Sequence, residues 1–139
     1  MAIAVYAIKV QVDDVSQETF VFKAQKTMYG GKRISVGNAI FVFASENAGG
    51  PGLIARGVVT SASAVPKKAG IERQTPRVTI GVTITAVAKR PLGRSQLKPF
   101  SDWDDGRPET ELNFKFYRQA TDKIAGISGE AAAFLNRFF

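Results

Sequence analysis

Apolar and polar residues alternate in several short segments of this chain, which is the pattern of β-strands with one buried face. The clearest segment is Arg77 to Ala88, in which one face carries Val, Ile and Ala and the other carries mainly Thr and Gly. Weaker versions of the pattern predict strands over Ala2 to Val12, Thr19 to Ala24, Ile34 to Phe43, Leu53 to Ser61 and Glu111 to Gln119. We therefore expect five to six strands, spread along the whole chain.

The segments between these strands predict few helices, all of them short. Residues 25–33, "QKTMYGGKR", predict a helical or irregular stretch, and a short helix is expected near Ser95. The chain ends in a predicted helix with Ser128 as its N-cap and Glu130 in its positively polarised first turn. These helices are expected to lie at the periphery of the sheet.

Strands do not alternate regularly with helices, so a doubly wound parallel sheet is disfavoured. Gly37 and Asn38 suit a tight turn before a buried strand, and Lys67 to Pro76 is predicted to be an exposed loop. The pattern indicates a mainly β member of the α+β class, with a small and strongly bent or barrel-like sheet.

Length and composition are those of one globular domain covering residues 1–139. The chain has 139 residues, 45% of them hydrophobic, and no apolar run reaches the roughly 18 residues of a membrane span. It has no Cys, which excludes disulfides and thiolate zinc sites and suits a reducing, cytoplasmic location.

The absence of His narrows the classes of function further. His is the commonest general base and transition-metal ligand, so Ser-His triads and His-based metallohydrolases are excluded. We expect a protein that is not an enzyme and that needs no cofactor or metal.

Basic residues dominate the charge, with a formal net charge of +7. They concentrate between Gly52 and Phe100 and are followed by an acidic cluster between Asp102 and Glu111. This asymmetry favours a polyanionic partner such as nucleic acid, although a basic surface without a partner has the same composition. The residues predicted to contact phosphate are Lys32, Arg33, Arg56, Lys67, Lys68, Arg90 and Arg94.

The segment Ile40 to Ala62 predicts a hairpin with a long glycine-rich tip, "AGGPG". Pro51 removes one backbone donor and no helix follows, so the tip does not suit a phosphate cradle and is expected to be a rim. The residues just before it, Ser45, Glu46 and Asn47, are the better candidates to face a binding site.

Aromatic and acidic residues of the C-terminal half leave several alternatives open. Trp103 can anchor its loop to the core or stack on a nucleobase, and Tyr29 presents the same choice. Arg118 and Gln119 can hydrogen-bond a base edge or phosphate, or Arg118 can pair with a nearby acid. Asp102 and Asp104 begin a pattern of calcium ligands that the following residues do not complete.

The order of these features resembles the EVE domain of the PUA-like superfamily, a relative of the YTH domain. The resemblance is carried by "FKAQKTMYGGKRISVGNAIFVFASENAGGPGLIARGVVTSA" and "FKFYRQATDKIAGISGEAAAFLNRF", which together cover most of the chain. It implies a PUA-like pseudobarrel that takes a nucleobase, often a modified one, between aromatic side chains. The base-binding residues that it implies are Lys23, Gln25, Lys26, Tyr29, Ser45, Glu46, Asn47, Trp103, Arg118 and Gln119.

The function predicted from the sequence is thus a non-catalytic nucleic-acid-binding module, for DNA or RNA. One alternative is a small nucleotide-directed enzyme that uses carboxylates such as Asp102 or Asp104. Another is a structural module that binds other proteins and forms a stable oligomer.

Overall fold

The computed structural model describes residues 4–70, 74–118 and 122–139. The described residues form six β-strands and three α-helices: β1 Val5–Val10, β2 Thr19–Met28, β3 Ala39–Ala44, β4 Gly52–Ala64, β5 Arg77–Val87, α1 Arg94–Leu97, α2 Pro108–Asn113, β6 Lys123–Ile127 and α3 Gly129–Asn136. Two 3-10 turns cover Gly31–Arg33 and Glu46–Ala48, and a π-helical segment, Phe114–Arg118, continues α2. No helix in this part of the chain is long and apolar enough to cross a membrane.

The six strands close into a barrel in the order β1-β3-β4-β5-β2-β6. Strand β1 is parallel to β3, and β2 is parallel to β6, whereas the other neighbours are antiparallel. The predicted mainly β fold, a barrel-like sheet of mixed strands with short peripheral helices and a C-terminal helix, is confirmed.

Apolar side chains form two clusters, one on each side of the barrel wall. Alternate residues of each strand fill the barrel interior, among them Ile8, Ile40 and Ile80, which are fully buried. The opposite faces of β1, β3 and β6 pack under the helices, where Phe43 stacks on Phe116 with ring centres 5.6 Å apart. The barrel is therefore a filled core, and helices cover only one side of it.

The strand predicted over Glu111 to Gln119 is wrong. Residues 108–118 are helical, with Pro108 in the first turn, where its missing N–H is not needed. Leu112 and Phe116, four residues apart, are both fully buried, so the apolar spacing is that of a helix as well as of a strand. Gln119 lies outside the described residues.

The strand that closes the barrel is Lys123–Ile127, which the sequence pattern did not predict. It is only five residues long, and its polar first residue and the glycine at its fourth position hide the alternation. It pairs along its length with β1, and at two positions with the end of β2.

The predicted break after Ala24 is also wrong, because β2 continues to Met28. A register shift against β5 falls between Phe22 and Gln25, and Ala24 has a φ of 51°. This is a β-bulge, which bends the strand without ending it.

Other local predictions are confirmed. Gly37 has a φ of 93° in the turn before β3, α1 lies at Ser95, and the Ser128 hydroxyl accepts a hydrogen bond from the Ala131 N–H at the start of α3.

Candidate functional site

An open cavity of about 450 Å³ lies at one end of the barrel. Strand β2, the end of β3, the start of β5 and the residue before β6 all reach it. The residues that line it are Gln25, Lys26, Ser45, Asn47, Ala48, Arg77 and Asp122. We refer to it as the mouth cavity.

The bulge in β2 brings Gln25 and Lys26 to the mouth cavity. At the bulge, the Ala24 N–H donates to the Thr79 hydroxyl at 3.0 Å, and the Ala24 carbonyl accepts from Arg77 Nη1 at 2.9 Å. Bulges re-aim side chains in this way beside many functional sites. The second of these hydrogen bonds also holds the guanidinium of Arg77, so the bulge positions residues of both β2 and β5 at the cavity.

The turn between β3 and β4 supplies Ser45 and Asn47. The Ser45 N–H donates to the Val10 carbonyl, and the Ser45 carbonyl accepts from the N–H groups of Ala48 and Gly50. These hydrogen bonds pair backbone groups of the turn with one another and with β1. The glycine-rich tip shapes the rim, and the side chains before it line the cavity.

Glu46 belongs to the same turn but is held by α1. Its Oε1 accepts the Arg94 N–H at 2.8 Å, and a side chain on Gly93 would collide with the carboxylate. The Tyr117 hydroxyl is buried and has no hydrogen-bond partner among the described residues. Burial, and then the nearby Glu46 carboxylate, raise the pKa of Tyr117. Glu46 therefore joins the turn to the helical side of the barrel and does not line the cavity.

The polar groups of the mouth cavity are two amides, a hydroxyl, two cations and a carboxylate. Amides offer both a donor and an acceptor, which is what hydrogen bonding to the edge of a nucleobase requires. None of the described residues that line this cavity is aromatic. The described lining therefore offers hydrogen-bonding side chains beside two cations and no aromatic ring.

Tyr29, Trp103 and Arg118 lie away from the mouth cavity. Tyr29 lines a separate cavity of about 430 Å³ beside β1, and Trp103 lines a third, of about 220 Å³, along α2. The guanidinium of Arg118 lies 5.1 Å from the ring centre of Trp103 and as close to that of Phe114. Trp103 itself packs edge-on against Phe114 and is 39% exposed.

Lys23 is exposed on β2 before the bulge, and its carbonyl accepts a hydrogen bond from Gln25 Nε2. Asp102 and Asp104 are exposed in the loop before α2. In residues 4–70, 74–118 and 122–139 there is no group of three or more acidic residues that could hold a metal ion.

The predicted phosphate-contacting residues do not share one surface. Lys32 and Lys67 line one cleft, whereas Arg33 lines the cavity that contains Tyr29. Arg56 bonds to Asn136 and Arg90 to the Arg137 carbonyl, each also packing on a C-terminal phenylalanine. Lys68 lies beside the Lys67 cleft, and the Arg94 guanidinium lies 5.8 Å from the ring centre of Tyr117.

Two buried lysines were not predicted from the sequence. Lys9 of β1 and Lys123 of β6 are 1% and 0% exposed and lie directly opposite each other across the two strands. Lys9 Nζ donates to the Phe116 carbonyl at 2.6 Å, and Lys123 Nζ lies 5.9 Å from the ring centre of Tyr29. Burial, and then the repulsion of Lys9, lower the pKa of Lys123 to about 8.

Sequence reasoning also missed Arg77 and Asp122 as lining residues. Arg77 begins the clearest strand of the chain, so its position at a strand end was a usable signal. Asp122 precedes β6, and without that strand nothing placed it near the barrel mouth.

Several solved structures share this fold at low sequence identity. The chain matches human THYN1 protein, solved in complex with DNA containing 5-methylcytosine, with a TM-score of 0.66 and 15% identity over 94% of each chain. It matches the DUF55 domain of human thymocyte nuclear protein 1 with a TM-score of 0.63 and 14% identity over 94% of this chain and 95% of that one. A hypothetical protein from Leishmania major matches with a TM-score of 0.64 and 17% identity over 98% and 94%. No protein-family profile and no curated protein matches the chain.

At these identities the matches establish the fold. The predicted resemblance to EVE and PUA-like domains is confirmed at that level: the chain has the fold of an EVE or PUA-like domain.

Proposed function

We propose that this protein is a non-catalytic nucleic-acid-binding module that takes one unpaired nucleobase, unmodified or modified, into the mouth cavity. The observation that carries the proposal is the convergence of Gln25, Ser45 and Asn47 with two cations on one open cavity. The shared fold with a protein solved in complex with 5-methylcytosine-containing DNA supports the same class of ligand.

Some polar groups of the mouth cavity suit hydrogen bonding to a base, and others suit binding of a phosphate. Asn and Gln amides make two-point hydrogen bonds with adenine, and a carboxylate such as that of Asp122 accepts from the amino group of cytosine. Lys26 and Arg77 supply positive charge at the rim, where a phosphate follows the base. A cavity of about 450 Å³ is within the range of roughly 300–1,000 Å³ that small-ligand sites occupy.

Direct binding measurements test the proposal. Fluorescence anisotropy with end-labelled single-stranded oligonucleotides would compare cytosine, 5-methylcytosine, adenine and N6-methyladenine at one central position, in DNA and in RNA. We expect binding that weakens as salt rises, because phosphate contacts release counterions. Absence of binding to every oligonucleotide at low salt would refute the proposal.

The variants Gln25→Ala and Asn47→Ala are each expected to weaken oligonucleotide binding by about tenfold, because each removes a two-point hydrogen bond to the base. The salt dependence should stay that of the wild type, since neither residue carries a charge. The matched control is Gln17→Ala, which removes an exposed amide that lines none of the cavities described above. Wild-type affinity for both cavity variants would contradict the assignment of the site.

A further inference from the structure

A second cleft, of about 280 Å³, adjoins the mouth cavity. It lies where β4 and β5 leave the barrel as a hairpin and the 3-10 turn Gly31–Arg33 approaches them. Arg77 lines both spaces, so they are neighbours on the surface and share this side chain. We call it the hairpin cleft.

The floor of the hairpin cleft is apolar, formed by Val65, Pro66, Pro76 and Val78. The Thr27 hydroxyl donates to the Pro76 carbonyl at 2.7 Å, which holds that proline against β2. The two proline rings are exposed, whereas Val78 is buried. The cleft thus presents a fixed apolar surface to solvent.

The side wall of the cleft is also fixed. The Gln74 amide makes two hydrogen bonds with the backbone of Lys68, accepting from its N–H at 3.0 Å and donating to its carbonyl at 2.8 Å. This amide clamp holds the two sides of the hairpin together at the level of the cleft. The cleft therefore has its shape without a ligand, and binding requires little further ordering.

The charged residues among the described residues that line the cleft are all positive. Lys32, Lys67 and Arg77 line it, and none of its described lining residues carries a carboxylate. An apolar floor with a cationic border suits a flat ring that carries a phosphate. Single-stranded nucleic acids are bound by a basic groove beside aromatic side chains on which bases stack, and here the two exposed proline rings offer the flat apolar surface instead.

We infer that the hairpin cleft holds the nucleotide adjacent to the one whose base enters the mouth cavity, an inference that rests on the function proposed above. The protein then binds two consecutive nucleotides of an unpaired strand. The base of the neighbouring nucleotide lies on the two prolines, and its phosphate lies between Lys32 and Lys67. Arg77, which uses one of its five N–H donors on Ala24, binds the phosphate between the two nucleotides.

The test compares a nucleoside 5′-monophosphate with a labelled trinucleotide, using the double variant Lys32→Ala/Lys67→Ala. We expect the wild type to bind the trinucleotide at least about tenfold more tightly than the monophosphate, from the additional base and phosphate contacts. The double variant should lose about tenfold in trinucleotide affinity and keep its affinity for the monophosphate. Its salt dependence should fall by about 0.7 in log K against log salt, because the two lysines share one phosphate and each phosphate of a single strand contributes about 0.7.

The matched control is Lys89→Ala/Lys98→Ala, which removes the same charge at two exposed lysines that line neither space. The inference is overturned if the Lys32→Ala/Lys67→Ala variant binds the trinucleotide like the wild type, or if the control loses as much. It is also overturned if the Lys32→Ala/Lys67→Ala variant keeps its affinity for the trinucleotide and loses affinity for a labelled glutamate-rich peptide. The cleft would then bind an acidic protein segment. Equal wild-type affinity for both nucleotide ligands refutes this inference alone, whereas no binding of either refutes the proposed function with it.

Discussion

The variant Gly31→Ala is expected to lower the free energy of unfolding by roughly 3 kcal/mol or more, because it places a methyl group inside the wall of the barrel. A Cβ at Gly31 would overlap the carbonyl oxygen of Ile124 and lie 2.9 Å from its carbonyl carbon. Both atoms belong to the backbone of β6, which has no flexible end to move aside. Gly31 has an ordinary φ, so the expected loss comes from overlap and not from backbone conformation.

Urea denaturation measures this effect, and Gly129→Ala is its matched control. Gly129 also has an ordinary φ, and a Cβ added there would meet no atom within 4 Å, so its replacement should be neutral or slightly stabilising. A Gly31→Ala variant as stable as the wild type would show that β6 is not in close contact with the turn.

The close approach of Gly31 to Ile124 matters for the proposed site, because it lies where β2 and β6 meet and close the barrel. We call this line of contact the seam. Among the described residues, strands β2 and β6 pair at two positions, Thr27 with Ile124 and Met28 with Ala125. The same seam brings Gln25 and Lys26 to the cavity that Asp122 also lines. Variants that open the seam should therefore lose oligonucleotide binding together with stability.

The second large effect concerns pH and the buried Lys123. Between about pH 8 and pH 10.5, Lys123 is neutral in the folded protein and still protonated in the unfolded chain. The unfolded chain binds more protons in this window, so the free energy of unfolding rises with pH. From pH 7 to pH 9.5 the increase should be about 2 kcal/mol. Below pH 8 both states hold the proton, and the penalty for burying the charge is present in full.

Lys9 should also make the free energy of unfolding rise with pH, because burial lowers its pKa as well. The two side chains lie opposite each other across β1 and β6, and like charges in that position destabilise a sheet. The variant Lys123→Met removes one charge and the repulsion between the two, while it keeps a long side chain in the space.

Urea denaturation at pH 7 and pH 9.5 tests this prediction. The wild type should gain stability at the higher pH, and Lys123→Met should show most of that gain already at pH 7. The matched control is Lys98→Met, an exposed lysine that should retain the pH dependence of the wild type. A wild type whose stability does not rise between these pH values would contradict the lowered pKa.

Local patterns predicted most of the elements of this fold. The alternation in Arg77–Val87 identified β5 almost to the residue, and the Ser128 cap located α3. Prediction failed at residues 111–118, because Leu112 and Phe116 have the spacing of a helix, while Leu112, Phe114 and Phe116 together also have the two-residue spacing of a strand. Packing beneath the barrel wall, where Phe116 stacks on Phe43, decided between the two.

The candidate site, like the fold, was predicted only in part from the sequence. The resemblance placed Gln25, Lys26, Ser45 and Asn47 among the base-binding residues, and in the structure these four line one cavity. Tyr29 and Trp103 carry the same local signal, an aromatic residue beside charges, but lie in other cavities. Nothing in a local pattern distinguishes these cases, because the direction of a side chain depends on the closure of the barrel.

The sequence by itself determined the mainly β composition, the basic charge, the absence of His and Cys chemistry and most strand positions, because these follow from residue type and periodicity. Only the tertiary structure decided which strand closes the barrel, where the β2 bulge falls, and that Arg77 and Asp122 reach the mouth cavity. The same holds for the burial of Lys9 opposite Lys123. Each of these depends on contacts between residues far apart in the chain, which residue type and periodicity do not specify.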